Sequence, residues 1–460
     1  MHSNVSPRAK RWLVGLATGA LLGGAAAEPV TSWQSQRAKT PGELSTGSGR
    51  YTPAGSQTPT EPAAREAWDI GLRALQSGKL DTAEEAFRRA STLEPGAYAP
   101  LLGLADAALY RGRLPEAEKL MSQARALAPK SAEVAAASGR LAAAARRMPE
   151  AQAEFKRAIA LDPRFITPHL DLAELQLSAG NSAEATITFR AAMAADPKHP
   201  GAPYGLGRAL AARGDGPGAI AALEQSARIA PNNPLPLVAK SEVQARQKQF
   251  DLAMATVDKA LGLEPDFRPA RLVKVDILAA AGKLDAAILE LKRLTGSPQG
   301  SAEAPLFVKL GSLQQAAKRP VDAEAAFRRA VEIDPKHHPA WNNIAWLGAE
   351  QRTDLDKALS ASQRALEQSP GTALYEDTLG YVHLARGDLT QAAAAFRKAA
   401  QAAPRVPDFH FRLGQTLERQ GQADNALASY QAALALGAPF ADADQARQRV
   451  AALSGKSTKP

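Results

Sequence analysis

The alanines at 83, 117, 151, 185, 219, 253, 287, 323, 358, 392 and 426 constrain this chain more than any other feature. Successive members are 34 residues apart six times, then 36, 35, 34 and 34. Four residues later, ten of the eleven copies carry a bulky side chain: Phe87, Met121, Phe155, Phe189, Leu223, Val257, Leu291, Phe327, Phe396 and Tyr430. Ser362 is the exception. A spacing of four puts both residues on one face of a helix. Proline closes the copies at 95, 129, 163, 197, 231, 265, 335, 370 and 404. A short unit of this kind cannot bury its own apolar face, so a fixed period implies neighbours stacked into one array.

The composition agrees. Hydrophobic residues make up 45% of the chain but aromatic residues only 5%, so the core relies on Ala and Leu. These are the best helix formers. Each copy also marks where its first helix stops. Gly occupies that place at 78, 112, 180, 214, 282, 387 and 421. Gly just past a helix end takes the left-handed conformation at little cost. The other four copies have Arg146, Lys248, Lys318 and Arg352, whose charge suits the negative end of a helix. Pro115, Pro149 and Pro217 fall near the start of second helices, where a missing N–H is harmless.

The first-helix segments "DIGLRAL" (69–75), "KLGSLQQ" (309–315) and "TLGYVHL" (378–384) complete a recognisable pattern. Together with the second-helix alanines it resembles the tetratricopeptide repeat family over roughly 64–440. The resemblance implies an all-α fold, a right-handed α-solenoid of about eleven 34-residue helix–turn–helix repeats. The match is weakest where Lys240 and Ser241, then Lys274 and Val275, replace the Leu-Gly pair, and where Pro298 sits one place early before a two-residue insertion. A stacked array needs a polar closing element. Residues 441–460 are expected to supply a capping helix and tail, with Ala443, Ala446, Val450 and Leu453 inward and Arg447 and Arg449 outward.

Arg8, Lys10 and Arg11 precede an uncharged run, "WLVGLATGALLGGAAA" (12–27), with Glu28 following. A basic start, an apolar stretch and a small-residue end read as an export signal over 1–27, cleaved at its end. The alternative is an uncleaved inner-membrane anchor at 12–27, though the run falls short of the about 20 residues a spanning helix needs. Either way the rest of the chain is expected in the bacterial periplasm. Residues 28–62 are rich in Ser, Thr, Pro and Gly and read as a disordered linker; the solenoid is expected over 63–440.

Composition also narrows the chemistry. There is no cysteine, which excludes disulfides, thiolate metal sites, a cysteine nucleophile and a lipidated N-terminal cysteine. The repeats tile the chain and leave no room for an enzyme domain. No phosphate-binding Gly loop, G-x-S-x-G or H-E-x-x-H occurs. The sequence therefore predicts no catalytic residue, no cofactor and no metal. His337-His338 reads as a solvated loop, and His169 and His410, on the first consensus position of their repeats, as structural. The net charge of +9 is mild for 460 residues and gives no case for nucleic acid.

What remains is a surface. The family resemblance implies that first helices line a concave face, with their second, fifth and ninth positions pointing into it. The ninth positions run Leu72, Asp106, Arg140, Glu174, Arg208, Glu242, Asp276, Ser312, Trp346, Tyr381 and Gln415. From Asp106 to Glu242 they alternate in sign, so neighbours can pair with one another or form a polar groove. Towards the C-terminus the fifth and ninth positions become Asn342, Trp346, Asp377, Tyr381, Phe411 and Gln415, a set suited to a peptide or a sugar chain. Arg140, Glu174, Arg208 and Tyr204 complete the candidate binding residues. Trp341 holds a consensus core position and is set aside. No repeat carries the Lys-and-Asn clamp of the chaperone-tail-binding members. Basic pairs on second helices, such as Arg88-Arg89 and Arg328-Arg329, read as a solvated outer face.

"WNNIAWLGAEQ" (341–351) and "DTLGYVHLARGDLTQAAAAFRKA" (377–399) resemble the C-terminal repeats of bacterial tetratricopeptide proteins tied to exopolysaccharide production and export. The expected function is a non-catalytic exported scaffold for a protein partner, in periplasmic assembly or export of an envelope polymer or protein. Direct binding of a polysaccharide through Trp346 and Tyr381 is the alternative.

Overall fold

A computed structural model describes residues 58–454, and the export signal expected at 1–27 lies outside them. So does most of the expected linker. Its end is held in place: Thr60 and Glu61 donate their backbone N–H groups to the Glu94 carboxylate at 2.7 and 2.9 Å, and Pro62 opens the first helix.

The described residues form helical hairpins and contain no strand. In chain order these are α1 (Pro62–Gln76) with α2 (Leu80–Leu93), α3 (Ala99–Tyr110) with α4 (Leu114–Leu127), and α5 (Ala132–Ala144) with α6 (Met148–Leu161). Next come α7 (Ile166–Ser178) with α8 (Ser182–Ala195), α9 (Gly201–Ala212) with α10 (Gly216–Ile229), and α11 (Leu235–Arg246) with α12 (Phe250–Leu263). Then follow α13 (Arg268–Ala280) with α14 (Leu284–Thr295), α15 (Ala304–Ala316) with α16 (Pro320–Ile333), and α17 (His338–Gln351) with α18 (Leu355–Gln368). The last pairs are α19 (Ala373–Arg386) with α20 (Leu389–Ala402) and α21 (Pro407–Arg419) with α22 (Ala423–Ala435), before a single closing helix, α23 (Ala443–Ser454). The described chain divides into two compact units after Val273, inside α13, the helix in which Lys274 and Val275 break the consensus.

The periodic residues are the core. Ala83, Phe87, Ala151, Phe155, Ala185, Ala323, Phe327, Ala392 and Phe396 are all at most 1% exposed. The aromatic ring of a second helix fills the notch that a first-helix glycine leaves. A methyl group on Gly139 would lie 2.6 Å from the Phe155 ring, and one on Gly380 would lie 2.7 Å from Phe396. Burying such a ring contributes on the order of 2–3 kcal/mol, which is why the pair recurs in phase.

A second recurring device sits at the first consensus position. Trp341 Nε1 donates to the Pro335 carbonyl at 2.9 Å. The Nε2 atoms of His169 and His410 lie 3.0 and 2.9 Å from the carbonyls of Pro163 and Pro404. Each ring reaches six residues back to the proline that closed the previous repeat, so the two histidines do the work of the consensus tryptophan. The shift in copy seven is absorbed locally: Ser297 Oγ donates to Leu294 O and accepts from Gly300 N, ahead of a 3₁₀ turn at Gly300–Ala302.

Two expectations need correction. Arg146, Lys248, Lys318 and Arg352 do more than place charge at helix ends. Their φ angles of 59°, 60°, 59° and 53° put them in the left-handed conformation that Gly takes in the other copies. The sharp reversal of the chain requires that geometry whichever residue supplies it. In α23, Ala446 and Leu453 are buried and Ala443 and Val450 partly so, as the pattern implies. Arg449 keeps 40% of its side chain exposed but is not simply solvated: it forms a two-pronged ion pair with Glu418 of α21. Glu418 also accepts from the Tyr430 hydroxyl at 2.9 Å, which ties the closing helix to the last hairpin through one carboxylate.

Candidate partner-binding surface

The ninth-position column differs between the two units. In the N-terminal unit, Arg140 of α5 lies 3.8 Å from Asp106 of α3 and 3.7 Å from Asp171 of α7. Burial works against the Arg140 charge, but the two carboxylates outweigh it and raise its pKa. Glu174 of α7 accepts from Arg208 of α9 at 2.7 Å. Chiefly through that carboxylate, the Arg208 guanidinium is also held above its ordinary value. Arg208 lies over the Tyr204 ring, 5.6 Å from its centre, and burial raises the Tyr204 phenol. The alternating signs therefore join one repeat to the next. All four of the predicted residues here, Arg140, Glu174, Arg208 and Tyr204, are partly exposed.

In the C-terminal unit the column begins the same way, with Asp276 of α13 paired to Lys309 of α15 at 2.5 Å, and becomes aromatic only at α17 and α19. Trp346 of α17 stacks on Tyr381 of α19, with ring centres 4.6 Å apart and planes 20° from parallel. Both rings are partly exposed, as is Gln415 of α21. The Arg412 guanidinium lies 5.9 Å from the Trp346 ring and forms an ion pair with Asp377. Asp377 is 0% exposed and the Arg412 side chain 11%.

The fifth positions do not open onto this surface as the family resemblance implied. Phe411 is 0% exposed, packed against Tyr430 and Phe440 in a core cluster. Asp377 is sealed, and Asn342 is 6% exposed with its Oδ1 buried and without a hydrogen-bond partner. Neighbouring first helices approach closely enough to cover that position. Phe411, Asp377 and Asn342 are therefore support for the surface, while Trp346, Tyr381 and Gln415 remain accessible on it.

Sequence reasoning missed Arg412 and Asp171. Both occupy sixth positions and reach back to the preceding repeat, to Asp377 and Arg140 respectively. The available signal was the unusual carboxylate at fifth-position Asp377, which requires a cation near it. Among the described residues no cluster of His, Cys, Asp or Glu could hold a metal ion, and no helix is long and apolar enough to cross a membrane.

Tetratricopeptide repeat models match residues 74–141 and, through a second model of the same description, residues 136–200, 170–234, 238–304, 302–373 and 378–444. No curated protein sequence matches the chain. Among solved structures, yeast Tom70 is similar at 14% identity and a TM-score of 0.45, over 86% of this chain and 96% of that one. A tetratricopeptide repeat protein from Parabacteroides merdae is similar at 16% identity and a TM-score of 0.39, over 61% and 97%. Pseudomonas aeruginosa pilF is similar at 18% identity and a TM-score of 0.39, over 46% and 97%. The family models span most of the described residues, and the helices repeat in the register those models encode. The chain belongs to the tetratricopeptide repeat family, a fold that suggests a scaffold for protein–protein interaction.

Proposed function

We propose that this chain is an exported, non-catalytic scaffold that holds a protein partner along the ninth-position column of its first helices. The observation that carries this reading is the C-terminal column. Trp346 and Tyr381 are partly exposed yet braced from below by the buried Asp377–Arg412 pair. Large aromatic side chains that are both accessible and rigid are what interfaces use as anchors. Export is supported by the basic, apolar and small-residue succession over 1–27. A periplasmic role in assembly or export of an envelope polymer or protein is the finer reading, and it rests on the resemblance of segments 341–351 and 377–399.

Direct polysaccharide binding is the weaker reading. A sugar ring stacks on an open aromatic face, and mutual stacking takes one face of Trp346 and one of Tyr381. The test is a photo-crosslinking residue placed at Gln415 in cells of the source organism, followed by mass spectrometry of the periplasmic fraction. A defined protein adduct that disappears with Trp346→Ala is expected. An adduct that survives that substitution undiminished removes the column from the proposal.

A further inference from the structure

We infer that Glu350, on the first-helix wall of the C-terminal unit, is the docking point for a Lys or Arg side chain of the partner protein. This rests on the scaffold reading above and names the chemistry of what the scaffold holds. Three carboxylates along these first helices already have cations: Asp276 pairs with Lys309, Asp377 with Arg412 and Glu418 with Arg449. Glu350 differs. Among the described residues no Lys, Arg or His forms an ion pair with it; what reaches its carboxylate is the Gln315 side chain of α15, which donates a hydrogen bond.

Two features of its place make an unmatched charge unfavourable. Glu350 lies in the last turn of α17, where the helix dipole opposes a negative charge and the helix supplies no basic residue. It is exposed, yet the protein around its carboxyl removes enough water to hold the pKa above the ordinary glutamate value, against the Gln315 bond. A cation delivered here neutralises the carboxylate and the negative end of α17 together. The Gln315 amide holds the carboxylate from the neighbouring repeat but uses only part of its capacity, since an ionised carboxylate has about four acceptor sites. The remainder suit a guanidinium or ammonium, which make the stronger, charge-assisted kind of bond. Trp346, one turn earlier on α17, is partly exposed, so the apolar stem of a Lys or Arg has hydrocarbon beside it. A bare metal ion fits poorly, because it takes several oxygen ligands and no such cluster is present among the described residues.

The test is fluorescence anisotropy with a fluorescein-labelled ten-residue peptide of alternating Ala and Lys, and the same peptide with Gln or Glu in place of Lys. The wild-type chain is expected to bind the Lys peptide most tightly and the Glu peptide least, with the Lys affinity falling as salt is raised. Glu350→Gln keeps the shape of the side chain and a group that can bond Gln315. It is expected to weaken the Lys peptide about tenfold, to the level of the Gln peptide. Glu367→Gln, on the exposed face of second helix α18, removes the same charge elsewhere in the unit and is expected to leave binding unchanged. Urea unfolding of both variants should match or exceed wild type, which separates lost recognition from lost folding.

Equal binding of the Lys peptide by wild type and Glu350→Gln overturns the inference. So does an equal loss in Glu367→Gln, which would assign the effect to net charge, or a loss in Glu350→Gln that tracks a loss of stability. Binding of the Gln or Glu peptide as tightly as the Lys peptide overturns it too. A failed Lys peptide with an intact Gln415 adduct in cells refutes the basic partner group only; failure of both refutes the scaffold reading as well.

Discussion

The two units use the same positions of the same helices for opposite purposes. In the N-terminal unit, Asp106, Arg140, Glu174 and Arg208 spend their charges on one another. The Glu174–Arg208 side chains are 28% and 39% exposed, and such a pair contributes roughly 0.2–1 kcal/mol. In the C-terminal unit Asp276 still pairs with Lys309, but from α17 to α21 the ionic link moves beneath the surface, to Asp377 and Arg412, and aromatic rings take the exposed places. The period fixes where side chains point. It does not decide whether a place holds the stack together or meets a partner.

The largest effect that tests this contrast comes from breaking the buried pair. Asp377→Ala leaves Arg412 charged and covered, and is expected to cost about 3–5 kcal/mol, read by hydrogen exchange resolved to α19 and α21. A loss as small as that of an exposed pair would erase the distinction between the units. Core truncations serve as the control that should not distinguish them. Phe155→Ala and Phe396→Ala, one in each unit, are each expected to cost about 3–5 kcal/mol in urea unfolding, because each ring fills a glycine notch.

Smaller effects follow. Gly112 and Gly387 have φ of 70° and 86°, so Gly112→Ala and Gly387→Ala should each cost about 1 kcal/mol by thermal unfolding, irrespective of unit. Glu174→Gln is expected to cost less than about 1 kcal/mol and to lose even that in high salt.

The pH dependence of the N-terminal unit is the finest probe. Burial lowers the His169 pKa against its bond to Pro163, so the folded state prefers the neutral ring. That contribution is complete above the ordinary histidine value of about 6.5 and is lost as pH falls through it towards the lowered folded value. Denaturation midpoints for wild type should therefore drop on acidification more steeply than those of His169→Gln. Identical slopes would assign the acid sensitivity elsewhere.

Much of the fold was legible because its cause is repeated. One alanine and one bulky residue per period state the packing eleven times, so local departures such as Ser362 do not obscure it. The surface was less legible because its cause lies between repeats. Nothing in α21 alone says that Arg412 meets Asp377, or that Phe411 turns into the core with Tyr430 and Phe440. Position in a repeat gives direction, whereas burial depends on how closely the next helix approaches. Arg449 illustrates the same point: its charge suggested solvent, but Glu418 on the preceding first helix captures it. Residues such as Arg146 show the converse, where backbone geometry is imposed by the turn and overrides the preference of the side chain.

The central claim is that partners meet the ninth-position column of the C-terminal unit. Photo-crosslinkers at Ser312 and Gln415, both partly exposed on first helices, can be compared in cells with one at Val321, which is 77% exposed on second helix α16. The same protein adduct from Ser312 and Gln415, with none from Val321, is the predicted result. Capture of the partner from Val321 and from neither first-helix position would contradict it.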